Sequence, residues 1–152
     1  MNKAEKAKAL FIQGANCAQA VCGAFAEECG ISVEQAFVLS SGFGGGIGRL
    51  REVCGAVNGM VLVINMLYGS GDLNDKNAKD GHYVRIQAVA NAFKSECGSI
   101  ICRELLGLDK KAPTPAESEA RTPEYYKKRP CPDMVALAAE ILEKYLAANP
   151  RP

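Results

Sequence analysis

The sequence has no apolar run long enough to cross a membrane, since a spanning helix needs ~20 consecutive apolar residues. Its start, MNKAEKAKALF, is charged and is followed by neither a long apolar segment nor a small-residue cleavage site. We therefore expect a cytoplasmic protein without a membrane span.

The sequence also lacks an excess of either charge, because the 152 residues carry a formal net charge of only +1. A broad nucleic-acid surface needs a clustered excess of Lys and Arg, so nucleic acid is not an expected partner. Nearly half of the residues are apolar, and the length suits one compact domain with a real core. We expect a single cysteine-rich domain over residues 1–152, with small molecules or proteins as partners.

Two common cysteine-site signatures are missing as well: no Cys-x-x-Cys pair occurs, and His82 is the only histidine. A zinc ribbon and a thioredoxin-type site are therefore not indicated. The chain nevertheless contains seven cysteines: Cys17, Cys22, Cys29, Cys54, Cys97, Cys102 and Cys131. In a cytosolic protein of this size they favour redox chemistry or metal binding over structural disulfides.

Helical periodicity predicts the secondary structure. Apolar residues within 3–29 recur at spacings of three and four, which predicts one long amphipathic helix ending near Gly30. Further helices are predicted after Ser32, over 54–69 and 83–97, at 101–107, and from about Pro132. Residues 109–130 are predicted to form a long polar loop. Because alternating β-branched residues dominate nowhere, we expect an all-α array of five or six helices.

The stretch GFGGGIGRLREVCGAVNGM brings a glycine-rich, positively charged loop to the start of an apolar segment. Cys54 is then expected in the first helical turn, where free backbone N–H groups and the helix dipole favour a thiolate. Arg49 and Arg51 would add positive potential and lower the thiol pKa from its free value of ~8.5. Gly55 and Gly59 would admit a small ligand or another backbone, so we take Arg49, Gly55 and Gly59 as candidate cofactor-binding residues. In the alternative interpretation the two glycines only permit tight helix packing, and Cys54 is a small buried residue.

The other cysteines fall into two groups. Cys102 opens CRELLG and Cys131 sits between two prolines before the last helix, so both are predicted at helix starts. Cys17 is predicted in mid-helix on an inward apolar face. The remaining three make no special pattern and are interpreted as small buried hydrophobes: Cys22, Cys29 and Cys97.

The intact motif CGAVNG, which begins at Cys54, resembles the signature of the redox-active protein family designated C_GCAxxG_C_C. Three further family cysteines match Cys17 in NCAQAV, Cys102 in GSIICRELLG, and Cys131 before the last helix, so the resemblance covers about residues 8–146. It implies a small helical protein with redox activity and implies no particular substrate. A similar cysteine-bearing segment in split-Soret cytochromes c implies an iron–sulfur site, although the haem motif Cys-x-x-Cys-His is absent here.

Three functions are compatible with these residues. The first is a thiol–disulfide or electron-transfer protein, a possible oxidoreductase, with Cys54 attacking and Cys17, Cys102 or Cys131 resolving. In the second, the same four thiolates bind an iron–sulfur cluster or zinc. The third is a helical interaction module that uses the 109–130 loop. The redox partner has no sequence signature, and the small-residue faces GANCAQAVCGAFA and VALAAEILEKYLAA predict a homo-oligomer.

Overall fold

The protein is helical along most of its length. A computed structural model describes residues 1–151. Its helices are α1 Lys3–Ile12, α2 Cys17–Ala24, α3 Val33–Ser40, α4 Gly55–Tyr68, α5 Lys76–Cys97, α6 Cys102–Leu105, α7 Pro123–Lys128 and α8 Cys131–Ala148. A short 3-10 turn covers Ser41–Phe43. The all-α class is confirmed, but five or six helices is too low a number, because eight α-helices form within residues 1–151.

Extended structure within 1–151 is limited to one isolated antiparallel bridge between Val53 and Ile101. This bridge joins the segment before α4 to the segment before α6, so it fixes the starts of two helices relative to each other. Across the same residues, the structure contains no helix that is both long and apolar enough to span a membrane.

The predicted long first helix is wrong, because the chain breaks it at Gly14. The φ angle of Gly14 is 120°, in a region that residues with a side chain rarely adopt. Asn16 then starts a new helix with a capping box: its side chain accepts from the Gln19 backbone N–H, and the Gln19 side chain accepts from the Asn16 N–H. Cys17 is therefore the first residue of α2 and does not lie in mid-helix.

Capping and glycine signals predicted most other boundaries. Ser32 and Gln35 form the capping box of α3, and α4 ends at Gly69. Helix α5 ends at Gly98 in the left-handed conformation, with φ 86°, as its glycine indicates. It begins earlier than predicted, because the Asp75 side chain accepts from the backbone N–H of Ala78 and caps a polar first turn.

The 109–130 segment is irregular as predicted, except for one short helix. The Thr122 hydroxyl accepts from the Tyr125 backbone N–H and caps α7, which has Pro123 in its first turn. The rest of the segment runs from α6 to α7 without regular structure. This part of the chain, residues 109–122, is called the 109–122 loop below.

Helix α4 supplies the centre of the core. Its Met60, Val63 and Ile64 side chains are fully buried, and they pack in one cluster with residues of α1, α2, α5 and α8. Helices α2 and α4 approach closely at Gly59, where an added methyl carbon would lie only 2.8 Å from Cβ of Val21. One turn earlier, a methyl at Gly55 would lie 3.1 Å from Cβ of Cys17. The two helices therefore run side by side in the same direction, and their N-termini meet.

Candidate functional site

Four of the cysteines line one cavity of about 460 Å³: Cys17, Cys54, Cys102 and Cys131. Each lies at the start of a helix, with Cys54 as the N-cap of α4 and the others as the first residues of α2, α6 and α8. The structure thus brings together the four positions that the sequence singled out. The other three do not line the cavity: Cys22 is fully buried in a second hydrophobic cluster, and Cys29 and Cys97 are half-buried. All seven cysteines are free.

Cys17 and Cys131 both lie on the cavity wall, and each thiol shifts the pKa of the other. The hydrogen bond from the Cys17 thiol lowers the pKa of Cys131 to about 7, opposed by burial and assisted by the positive charge of Arg129. The same bond, together with burial, raises the pKa of Cys17 well above its ordinary value. Cys131 also stands in the first turn of the long helix α8, where free backbone N–H groups favour a negative charge. When the pair ionises, the thiolate is therefore favoured on Cys131 and the proton stays on Cys17.

Cys54 behaves differently from the expectation. Its place at a helix start is confirmed, and the backbone N–H groups of Ala56 and Val57 donate to its sulfur. Burial is the larger effect, however, and raises the pKa of Cys54 to about 12, so the predicted lowering is wrong. The residue is only 5% exposed. In addition, the guanidinium of Arg51 contacts Cys102 and not Cys54.

Cys102 is the cysteine next to Arg51: its Sγ lies 3.6 Å from Nη1 of the arginine. Burial raises the pKa of Cys102, and the Arg51 hydrogen bond partly opposes this rise. The backbone fixes the contact, because the Cys102 N–H donates to the carbonyl oxygen of Glu52 at 2.6 Å. Gly46 closes the other side: a methyl carbon at this position would lie 2.7 Å from Cβ of Cys102. Only glycine permits the loop to pass so close to the thiol.

The glycine-rich loop has an unusual left-handed backbone. Positive φ angles occur at three of its glycines and at three other residues: Gly45, Gly46, Gly48, Ile47, Arg49 and Arg51. Such angles cost a residue with a side chain roughly 1–2 kcal/mol. Backbone hydrogen bonds from Gly48 to Gly42 and from Glu52 to Gly46, at 2.8 and 2.9 Å, hold the turns. The strained conformation brings Arg49 and Arg51 to the cavity lining.

Two further arginines line the cavity, Arg121 and Arg129, and sequence reasoning missed both. Arg121 donates to the carbonyl oxygens of Phe11 and Ala15 at 2.9 and 3.0 Å, which fastens the 109–122 loop to the end of α1. Its guanidinium carbon also lies 4.3 Å from the centre of the Phe11 ring. A sequence signal was available, because Arg129 stands two positions before Cys131.

The candidate cofactor-binding residues have separate locations. Arg49 and Gly55 line the cavity, whereas Gly59 lies between α2 and α4, against Val21. The location of Gly59 favours the packing interpretation, and cofactor contact at Arg49 and Gly55 stays a prediction.

The four cavity cysteines are also a possible set of metal ligands. Four thiolates are suitable ligands for zinc or an iron–sulfur cluster. In residues 1–151, however, no three or more His, Cys, Asp or Glu side chains are grouped so that they could hold a metal ion. The four thiols share a cavity without forming a ligand cage.

Comparison with known proteins gave a family match. The family model described as "Putative redox-active protein (C_GCAxxG_C_C)" matches residues 15–145, which is most of the chain. The matched range contains the four cavity cysteines and the four cavity arginines. Searches of curated proteins and of solved structures gave no match.

Proposed function

The chain belongs to the C_GCAxxG_C_C family of redox-active proteins, and from this premise we propose that it carries out thiol–disulfide exchange at the four-cysteine cavity. The observation that carries the proposal is that Cys17 and Cys131 line the same cavity, where each shifts the pKa of the other in the opposite direction. A thiolate next to a protonated thiol is the arrangement that exchange chemistry needs, since one sulfur attacks and the other resolves.

Cys131 is the attacking group. Its pKa is lowered to about 7, chiefly by the hydrogen bond from Cys17, and a thiol whose pKa is near the ambient pH is the fastest in exchange. Its thiolate attacks one sulfur of a disulfide substrate, the S–S bond of the substrate breaks, and a thiolate leaves. The product is a mixed disulfide at Cys131.

Cys17 is the resolving group, and its reactivity follows from the first step. Its pKa is raised chiefly by the hydrogen bond to Cys131, by burial and by the negative charge of Cys131. Once Cys131 is in a mixed disulfide, that charge is gone and the hydrogen bond is weakened, so the pKa of Cys17 falls. Cys17 then loses its proton to the departing thiolate and attacks Sγ of Cys131. The chain ends with a Cys17–Cys131 disulfide, and the substrate has taken up two electrons and the proton of Cys17, while the thiolate that left in the first step takes its proton from water.

The other two cavity thiols have a secondary role in this scheme. Burial raises the pKa of both Cys54 and Cys102, so they stay protonated at neutral pH and do not compete with Cys131 for the substrate. They lie on the same cavity, but as protonated thiols they resolve a mixed disulfide at Cys131 more slowly than Cys17 does.

A trapping experiment tests the exchange. The reduced protein is mixed with bis(2-hydroxyethyl) disulfide, quenched with acid and mapped by mass spectrometry. Wild type should yield a Cys17–Cys131 disulfide, and Cys17→Ser should accumulate the mixed disulfide at Cys131. Cys97→Ser, which changes a cysteine outside the cavity, is the matched control and should behave as wild type. Modification spread equally over Cys97 and the cavity cysteines would contradict the proposal.

A four-cysteine metal site is a second candidate because four thiols on one cavity meet the ligand count of zinc or an iron–sulfur cluster, but in residues 1–151 their arrangement does not form a ligand cage. Anaerobic purification followed by metal analysis tests it. A brown protein with visible absorption and iron, or a colourless one with one zinc per chain, would support a metal site. The third candidate, a helical interaction module that uses the 109–130 loop, is the weakest, because it gives no role to the four cysteines that share the cavity.

A further inference from the structure

The charges around the cavity are strongly unequal. Glu119 is the only acidic residue among the lining residues. Four arginines line the same cavity: Arg49, Arg51, Arg121 and Arg129. Two of the arginines, Arg51 and Arg121, form no salt bridge with any carboxylate of residues 1–151. A cavity lined in this way attracts anions, since positive groups in a recess focus the field and raise the local anion concentration.

Glu119 already occupies an anion position within the cavity lining. Its Oε1 lies 3.3 Å from Nη2 of Arg49, and the same oxygen contacts Nη2 of Arg129. The two arginine side chains are only 17% and 16% exposed, whereas the Glu119 side chain is 43% exposed. The arginines thus form a fixed cradle, and the carboxylate reaches into it from the surface.

The cradle does not depend on Glu119 for its shape. Nη1 of Arg49 donates to the carbonyl oxygen of Pro115 at 3.1 Å. The guanidinium carbon of Arg129 lies 5.7 Å from the centre of the Tyr125 ring, at a distance suitable for a cation–π contact. Both guanidinium groups therefore keep a second support when another carboxylate takes the place of Glu119.

From these contacts we infer that the cavity takes a small disulfide that carries carboxylate groups, and that its carboxylate displaces Glu119 from between Arg49 and Arg129. This inference rests on the proposed exchange function. The volume of about 460 Å³ suits a small molecule. An anion held by Arg129 lies close to Cys131, which is two positions further along the chain and lines the same cavity.

The reaction balances without another component. The thiolate of Cys131 attacks the substrate disulfide, and Cys17 resolves the mixed disulfide. One substrate disulfide becomes two thiols, while two thiols of the chain become one disulfide. The released product thiols each carry a carboxylate, and Glu119 returns to the cradle when they leave.

Three disulfides of similar size and different charge test the inference: dianionic 3,3′-dithiodipropionate, neutral bis(2-hydroxyethyl) disulfide and dicationic cystamine. Single-turnover rate constants are measured for each and divided by the rate constant with a small reference thiol, which removes differences in intrinsic reactivity. We expect the normalised rate for the dianion to exceed that for the dication by about tenfold or more at low salt, and the ratio to fall as salt screens the arginines.

Variants separate the cradle from the nucleophile. Arg129→Gln and Arg49→Gln should reduce the ratio of dianion to neutral rates several-fold, and using this ratio cancels any change in the pKa of Cys131. Glu119→Gln should raise the same ratio, because the competing carboxylate is gone. Lys144→Gln, which removes a 76% exposed lysine from a surface ion pair with Glu140, is the matched charge control and should leave the ratio unchanged.

The outcomes distinguish the two proposals. Equal normalised rates for the three disulfides, with a Cys17–Cys131 disulfide still formed, would overturn the anionic substrate and leave the exchange function standing. A lower ratio in Glu119→Gln would overturn the displacement of Glu119. Failure of all three disulfides to react at Cys131 would overturn both the exchange function and its substrate.

Discussion

Cys17 and Cys131, the first residues of α2 and α8, line the same cavity and shift each other's pKa in opposite directions. Because the two sulfurs share a proton, ionisation is a property of the pair. Besides the hydrogen bond from Cys17, the positive charges of Arg129, Arg51 and Arg121 lower the pKa of Cys131 and so favour the negative charge there. The other residues of the cavity therefore change the reactivity of the pair by changing how easily Cys131 ionises.

The first prediction concerns the order of alkylation. In a brief iodoacetamide pulse at pH 7, mass spectrometry should find Cys131 modified before the other six cysteines, with an apparent pKa of about 7. Cys17→Ala removes the hydrogen bond that lowers this pKa most, so it should slow alkylation of Cys131 at pH 7 several-fold and raise its apparent pKa. Cys22→Ala, outside the cavity, should not. Modification of Cys54 before Cys131 would contradict the assignment.

Local signals in the sequence were sufficient for most of the fold. Capping residues and helix-ending glycines depend on neighbours three or four positions away, so Ser32, Gly69 and Gly98 marked their boundaries correctly. Gly14 was the exception, because apolar spacing continued through it while its φ angle of 120° ended the helix. The capping box of Asn16 and Gln19 was the signal for the new start, and it was overlooked.

The four cysteines that the sequence singled out line one cavity, but the predicted lowering of the Cys54 pKa is wrong. The cysteine pattern indicated the four thiols, but the direction of each pKa shift depends on burial and on where distant guanidinium groups point. Arg51 is close to Cys54 in sequence and yet contacts Cys102. The left-handed backbone at Arg49 and Arg51 decides this direction, and no sequence periodicity predicts it.

The second prediction tests the passage of the glycine-rich loop beside Cys102. Gly46 and Gly48 have φ angles of 74° and 56°, so alanine at either position costs roughly 1–2 kcal/mol for the left-handed backbone. At Gly48 nothing lies within 4 Å of the added carbon, whereas at Gly46 it would lie 2.7 Å from Cβ of Cys102. In urea unfolding, Gly46→Ala should therefore be less stable than Gly48→Ala by about a further 1–3 kcal/mol. Equal losses would show that the contact with Cys102 is not tight.

The third prediction compares two glycine-to-alanine substitutions, in α5 and α4, which should change the free energy of unfolding in opposite directions. Gly81 is exposed in α5, and an added carbon there meets nothing within 4 Å, so Gly81→Ala should stabilise the protein by about 0.5–1 kcal/mol through helix propensity. At Gly59 the carbon would lie 2.8 Å from Cβ of Val21 and 3.0 Å from the carbonyl oxygen of Ala18. Gly59→Ala should destabilise by about 1 kcal/mol or more, because overpacking exceeds the propensity gain. Stabilisation by both variants would refute the close contact of α2 and α4.

The last prediction concerns stability at alkaline pH. The pKa of Cys54 is raised by burial from its ordinary value of 9.0 to about 12. A raised pKa means that the stabilising contribution is complete below pH 9 and is lost as the pH rises from 9 towards 12, at about 1 kcal/mol per pH unit. Cys54→Ala removes this contribution, so its free energy of unfolding should fall less steeply between pH 9 and 10.5 than that of wild type. Urea titrations across this interval measure the slopes, and comparing slopes cancels the cost of the cavity that alanine leaves. Cys97→Ala, at a half-buried thiol outside the site, is the control and should change the slope of the free energy of unfolding against pH less. Equal slopes in wild type and Cys54→Ala would show that Cys54 ionises freely in the folded protein.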